Sequence, residues 1–312
     1  MFTQIRDEIR WQGQLEIERL CRAADVSRAS FYRSFQRAEP SAAEMLIRDA
    51  VQKAAVGNRR YGYRRVAVLV QRQGVAVGAR HVLRIMREDN LLAVRRRKFV
   101  VTTDSDHDFL VYPNLAQSLA LTDINQLWVA DITYLRLALE FVYLAVVLDA
   151  FSRLVVGWAL SRSLQAKLPL AALQAAIAQR RPGSGLVHHS DRGSQYASDD
   201  YGKVLEQHKM LISMSRPARP WENAKCESFM KTLKSEEIEV TDYRTMEELQ
   251  ENIENFIARY YNTIRLHSAL GYLSPAEFER RRAAQRREQA TSLPAALSFR
   301  RHKEIYPDVL SH

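Results

Sequence analysis

Between residues 126 and 160 three runs rich in β-branched and aromatic residues follow one another with only short gaps: QLWVADITYLRL, EFVYLAVVLDAF and RLVVGWAL. Such spacing leaves no room for crossover helices, so the three runs predict an antiparallel meander. The pattern then changes period. A helix is predicted over LPLAALQAAIAQRR, closed by Pro182-Gly183, then a short strand LVHH ending at Asp191. A helix from Ser198 to about His208, a strand MLISM and a helix from about Trp221 to Glu237 complete the order βββαβαβα. The expected product is an α/β domain: a mixed five-stranded sheet with helices on both faces.

The chain before this domain reads as all-α. Residues 14–37 form helix, turn and helix, with Leu15, Ile17, Leu20 and Cys21 apolar on the first. Ser27 is the expected N-cap of the second helix, which carries Arg28 and Arg33. This is helix-turn-helix grammar, although any two-helix hairpin can share it. Residues 61–98 repeat the style, with Val66, Leu69 and Val70 on one helix, Val82, Leu83, Ile85 and Met86 on the next, and RRRK at 95–98. The domain boundaries predicted are 1–104 for the basic helical region, 105–122 for a connector, 123–282 for the α/β core with its C-terminal helices, and 283–312 for a tail. Thr245 with Glu248, and Ser274 with Glu277, have capping-box spacing, so helices are expected to begin at both places.

Charge separates these regions. Net charge is +10; up to Asp104 there are 21 Lys/Arg against 11 Asp/Glu, and beyond it 25 of each. A basic module joined to a neutral one suggests that the first grips a polyanion, nucleic acid above all, while the second does something else. No run of 18 apolar residues occurs and the N-terminus lacks the apolar core of a secretion signal, which predicts no membrane and a cytoplasmic location. Cys21 and Cys226 stand 205 positions apart, without paired zinc-ligand spacing.

Three carboxylates fall at the points where such a sheet gathers ligands. Asp131 interrupts the first strand, where an unpaired charge is costly. Alternation puts it on the face of Val129 and Thr133, opposite Ile132 and Tyr134, unless the strand is an edge and the aspartate faces water. Asp191 ends a strand before Gly193, which would let the chain turn closely beneath a metal or phosphate, and Arg192 and Gln195 offer donors; an ordinary loop aspartate is the alternative. Glu227 lies on a helix with Lys231 and Lys234 four and seven positions later, so a surface salt bridge is its alternative. Hard divalent cations demand oxygen ligands, and two of them about 3.5–4 Å apart can activate one oxygen and stabilise another in phosphodiester chemistry. Asp149, ending the second strand, is expected to be structural, meeting Arg153 across the turn.

Thirty-five residues separate Asp191 from Glu227, and the chain carries CRAADVSRASFYR, YGYRRV, HVLRIMREDNLL, WVADITYL, LVVGWALS, HHSDRGSQYAS, ENAKCESFMKTLKSE and YYNTIRLHSALGYLSPAEFE in order. In these segments it resembles the second-reading-frame (OrfB-type) transposases of bacterial insertion sequences, which have an RNase H-like core like that of retroviral integrases. The resemblance implies that Asp131, Asp191 and Glu227 are the catalytic, metal-binding triad of Mg²⁺- or Mn²⁺-dependent DNA cleavage and strand transfer, with two ions and no zinc. It implies DNA contacts by Lys231 and Lys234; Lys225, Arg192, Gln195, Arg28 and Arg33 are added as candidates. It also implies a multimer on paired DNA ends, acting on the element's terminal repeats and on target DNA. A first-reading-frame partner, or a frameshift fusion with it, is expected because no leucine-zipper heptad precedes residue 14. Trp221-Glu222 stands where that family commonly has an aromatic followed by aspartate. A catalytically idle DNA-binding derivative and a plain nuclease of the same fold are the competing readings.

Overall fold

The computed structural model describes residues 21–35, 41–93, 112–137, 140–216 and 219–292. The chain divides into two compact units, Met1–Arg95 and Arg96–His312. Leu15, Ile17, Leu20, the 95–98 basic cluster and residues 105–111 of the connector lie outside the described residues.

In the first unit a helix ends at Cys21–Ala23, and Asp25 takes φ +51°. Val26 N donates to Cys21 O (2.9 Å) and Asp25 N to Arg22 O (3.2 Å), the chain reversal that satisfies the last carbonyls of a helix. Ser27 then caps helix α1 (Arg28–Phe35), its Oγ accepting from Ser30 N at 3.0 Å. Arg28 is exposed on α1; Arg33 lies on the same helix, and its side chain is outside the described residues. Helices α2 (Ala42–Gly57), α3 (Tyr63–Arg72) and α4 (Ala79–Glu88) follow. They bury Val51, Ala54 and Ala55, then Val66, Ala67 and Val70, then Val82, Ile85 and Met86, whereas Leu69 and Leu83 stay half-buried. Helix α2 has no counterpart in the sequence reading. Its signal is Ser41 three residues before Glu44, and Ser41 Oγ accepts from Glu44 N at 3.2 Å.

The second unit holds a five-stranded sheet of β1 (Leu127–Arg136), β2 (Phe141–Asp149), β3 (Val155–Ser161), β4 (Val187–Ser190) and β5 (Leu211–Met214). Its order is β3-β2-β1-β4-β5. The first three strands pair antiparallel, while β4 pairs parallel with β1 and with β5. This is the RNase H-like topology. Odd-numbered residues of β1 (Leu127, Val129, Leu135) pack with α7 (Ala224–Leu233) and α8 (Met246–Asn255). Even-numbered Trp128 and Ala130 pack on the other face with α5 (Lys167–Arg180) and α6 (Asp199–Gln207). On that face α5 crosses β3 closely: a Cβ on Gly157 would lie 2.3 Å from Ala172 O.

Two long helices expected from the sequence are broken. The 221–237 segment opens as a 3-10 turn (Pro220–Asn223), runs as α7 and ends in a π turn (Lys234–Ile238); α8 likewise passes into a π turn (Phe256–Tyr261). A wider turn re-aims its side chains. Here Glu236 of the first accepts from Arg265 Nε and Nη2 (2.8 Å each) and from Tyr260 of the second (2.9 Å). The expected caps hold: Thr245 Oγ1 accepts from Glu248 N (3.2 Å), and Ser274 Oγ from Glu277 N (3.3 Å) at the head of α9 (Pro275–Ser292). Among the described residues no helix is long and apolar enough to cross a membrane.

Candidate catalytic site

Asp131 sits mid-way along β1, opposite Val146 of β2, on the strand face that packs against α7. It is half-buried, following four buried residues of the strand, and its Oδ1 accepts from Ile132 N at 2.9 Å. Burial, then the negative charge of Asp191 and that of Glu227, push its carboxyl from 3.8 up to about 7, against the Ile132 hydrogen bond and the nearby Lys234 charge.

Asp191 follows the last residue of β4, one strand from Asp131. Its Oδ1 accepts from Gly193 N at 3.0 Å, and a Cβ on Gly193 would lie 3.1 Å from that oxygen. Glycine therefore allows the tight turn that folds the backbone around this carboxylate. The strand end is braced from both sides. Buried His189 bridges Ser213 Oγ (2.8 Å) and Ser215 Oγ (2.9 Å) of the β5 edge, and Arg192 Nε donates to Ser215 O (2.8 Å). His188 meets Tyr201 OH at 3.0 Å. Burial lowers His188 to about 3 and His189 to about 4, so both imidazoles are neutral struts of β4.

Glu227 lies in the first turn of α7, half-buried, with Oε2 at 3.5 Å from Lys231 Nζ. The helix is pinned to the aspartate's strand by Asn223, a residue the sequence reading passed over; its Nδ2 donates to Ala130 O at 2.9 Å. Beneath the site, Cys226 is fully buried, and its thiol is raised well above the usual range by burial and then by the charges of Asp131, Asp191 and Glu227. The same two aspartates bear on Tyr196, whose buried hydroxyl has no hydrogen-bond partner among the described residues. The three carboxylates thus share one electrostatic neighbourhood.

Among the described residues, however, no three His, Cys, Asp or Glu side chains converge closely enough to hold a metal ion as they stand. The donor chemistry still fits a hard divalent cation: the available ligands are carboxylate oxygens, while the neighbouring imidazoles and thiol are committed or protonated.

The basic candidates divide. Lys231 is exposed beside Glu227, and Lys234 stands over the Tyr134 ring at 4.6 Å, where burial lowers its ammonium and Asp131 raises it. Tyr134 as the seat of Lys234 was not foreseen. Gln195 Nε2 approaches Leu164 O at 3.4 Å. Lys225 is half-buried and points elsewhere, toward Arg153 and Asp149. Asp149 is structural, as expected, but its cationic partner is corrected. Fully buried, it accepts from the backbone N–H of Asn125, Phe151 and Ser152, and Arg180 approaches to 3.9 Å; Arg153 gives it only a backbone contact. The long-range partner wins because Arg180 is held there by a bidentate pair with Glu279 (2.8 and 2.7 Å).

Comparison with known families matches an integrase core domain model to residues 122–220, a second integrase core model to 208–275, and an HTH-like domain to 42–99. The last match falls on α2–α4 rather than on the turn around Ser27. The chain is 37% identical over 264 residues to the insertion element IS600 uncharacterized 31 kDa protein of Shigella sonnei, covering 83% of this chain and 97% of that one. It is 35% identical over 279 residues to transposase InsF for insertion sequence IS3A of Escherichia coli K12 (88% and 97% covered). It is 37% identical over 222 residues to the transposase for insertion sequence element IS904 of Lactococcus lactis (71% and 88% covered). With these relatives, and with an integrase core built on the sheet described above, the chain belongs to the insertion-sequence transposases.

Proposed function

We propose that Asp131, Asp191 and Glu227 hold two Mg²⁺ or Mn²⁺ ions and that the chain uses this site to cut the ends of its insertion sequence and join them to target DNA. The family is one of metal-dependent polynucleotidyl transferases, which sets the reaction class. The observation that carries the residue assignment is Asp131, a carboxyl raised to about 7 by burial and, after that, by the negative charges of Asp191 and Glu227. Positive charge supplied there relieves all three at once. Bound cations would make the attacking oxygen more nucleophilic and stabilise the leaving oxygen of an in-line displacement.

The protein's own groups do the rest. Asp131 must be ionised to serve as ligand, so metal affinity should rise with pH as that carboxyl gives up its proton. Glu227 would help hold the cation, and Lys231, exposed beside it, would offer its ammonium to a DNA phosphate. Lys234, anchored over Tyr134, keeps a second positive charge near Asp131. The N-terminal unit, with Arg28 and Arg33 on α1, grips DNA together with the basic stretch at 95–98 while the core reacts. We assign the protein to the cytoplasm, as a multimer on paired ends working with a first-reading-frame partner or as a fusion with it.

Labelled element ends incubated with Mg²⁺, with and without that partner, test the reading. Cut ends and joined products are expected from the wild type. Asp131→Asn, Asp191→Asn and Glu227→Gln should each bind the ends and leave them intact. Hydrolysis without joining would instead mark a plain nuclease, and binding without cutting by the wild type an idle derivative.

A further inference from the structure

A cavity of about 520 Å³ is lined by Tyr112, Pro113, Asn114, Gln117, Arg192 and Arg216. That is within the roughly 300–1,000 Å³ typical of small-ligand sites. Two positions tie it to the chemistry. Arg192 is the residue after Asp191, and Arg216 opens the loop that runs through Trp221 into Glu227.

Its walls are rich in donors and hold no carboxylate. Glu222, which pairs with Arg216, is turned inward: it accepts from Arg216 N (2.8 Å), Arg216 Nε (2.8 Å) and Asn114 Nδ2 (2.7 Å), with its side chain 6% exposed. Arg216 Nη2 donates to Gln117 Oε1 at 2.9 Å. Among the described residues Arg216 Nη1, Gln117 Nε2 and the Tyr112 hydroxyl have no hydrogen-bond partner. Tyr112 is half-buried, with part of its ring against the core and the rest lining the cavity. Unused N–H and O–H groups, two guanidinium groups and an aromatic wall are complementary to a phosphate joined to a flat apolar ring.

We propose that this cavity seats one unpaired nucleotide of the DNA strand entering the site, with its phosphate on Arg216 and Arg192 and its base against Tyr112 and Pro113. The proposal rests on the transposase reading above. It adds a strand-opening step: the duplex end frays, and the displaced nucleotide is held one residue from Asp191. Arg216 keeps its grip on Glu222 throughout, so the loop leading to Glu227 is braced whether or not DNA is present.

The test uses the full chain carrying Asp131→Asn, so that bound DNA stays whole. Element-end duplexes are compared with a terminal nucleotide either paired or unpaired, that nucleotide carrying 5-iodouracil for photocrosslinking. Expected are an adduct on Tyr112 from the unpaired position and tighter binding of frayed than of paired ends, by roughly fivefold or more. Gln117→Glu, at an exposed position, should reduce that preference to near one while changing paired-end binding less than about twofold. No adduct within 112–117, equal binding of frayed and paired ends, or equal weakening of both by Gln117→Glu overturns the seat. The catalytic reading fails separately, if Asp131→Asn still cuts ends in Mg²⁺. Complete absence of DNA binding overturns both.

Discussion

Replacing Asp131 by asparagine should stabilise the metal-free core at neutral and alkaline pH, although most substitutions of half-buried polar groups destabilise. In the folded chain the Asp131 carboxyl titrates at about 7, raised by burial first and then by Asp191 and Glu227, whereas its ordinary value is 3.8. The folded state therefore binds this proton more tightly than the unfolded state. The stabilisation is complete below the ordinary value and is lost as pH rises through about 7. Roughly three pH units at ~1.36 kcal/mol each give about 4 kcal/mol, an upper limit for this one group. Asparagine is neutral and keeps an oxygen for Ile132 N, so it escapes the loss. Urea unfolding of both proteins in EDTA, across about pH 4.5 to 8.5, reads the difference. The wild type should lose stability relative to the variant as pH rises and level off above about 8. Excess Mg²⁺ should restore the wild type and leave the variant unmoved. Parallel pH profiles, or a variant less stable than wild type at pH 8, would refute the reasoning.

Asp149→Ala should cost about 3–5 kcal/mol in unfolding experiments, because it strands three backbone donors and Arg180 in a buried place. Cleavage per folded molecule should survive, and a stable but inactive variant would show that the acid does chemistry. Gly157→Ala should destabilise by ~3 kcal/mol or more, since the new methyl meets the backbone of α5 at 2.3 Å; a neutral effect on melting would contradict the packing described. Replacing Lys231 and Lys234 together by alanine should flatten the salt dependence of DNA binding by about 0.9 for each phosphate no longer neutralised, and an unchanged slope would leave them as helix decoration.

What could be read from the residues was local or periodic. The strand runs, the side of β1 that Asp131 occupies and the caps at Ser27, Thr245 and Ser274 depend on near neighbours in sequence, and each is present. What escaped depends on distant partners. Asp149 finds Arg180, Lys234 finds Tyr134, and Glu236 finds Arg265 across 29 positions, an attraction that accompanies the π turns where unbroken α-helices were expected. Asn223 was passed over for the same reason, since its partner is the carbonyl before Asp131. Helix α2 is the exception: its cap at Ser41 and Glu44 was legible and went unused.

The claim on which the account stands is that a strand aspartate, a strand-end aspartate and a helical glutamate serve common cations. Anomalous diffraction from crystals soaked in Mn²⁺ measures this directly. Peaks ligated by Asp131, Asp191 and Glu227 together are expected. Manganese bound without Glu227, or at carboxylates elsewhere in the core, would contradict it.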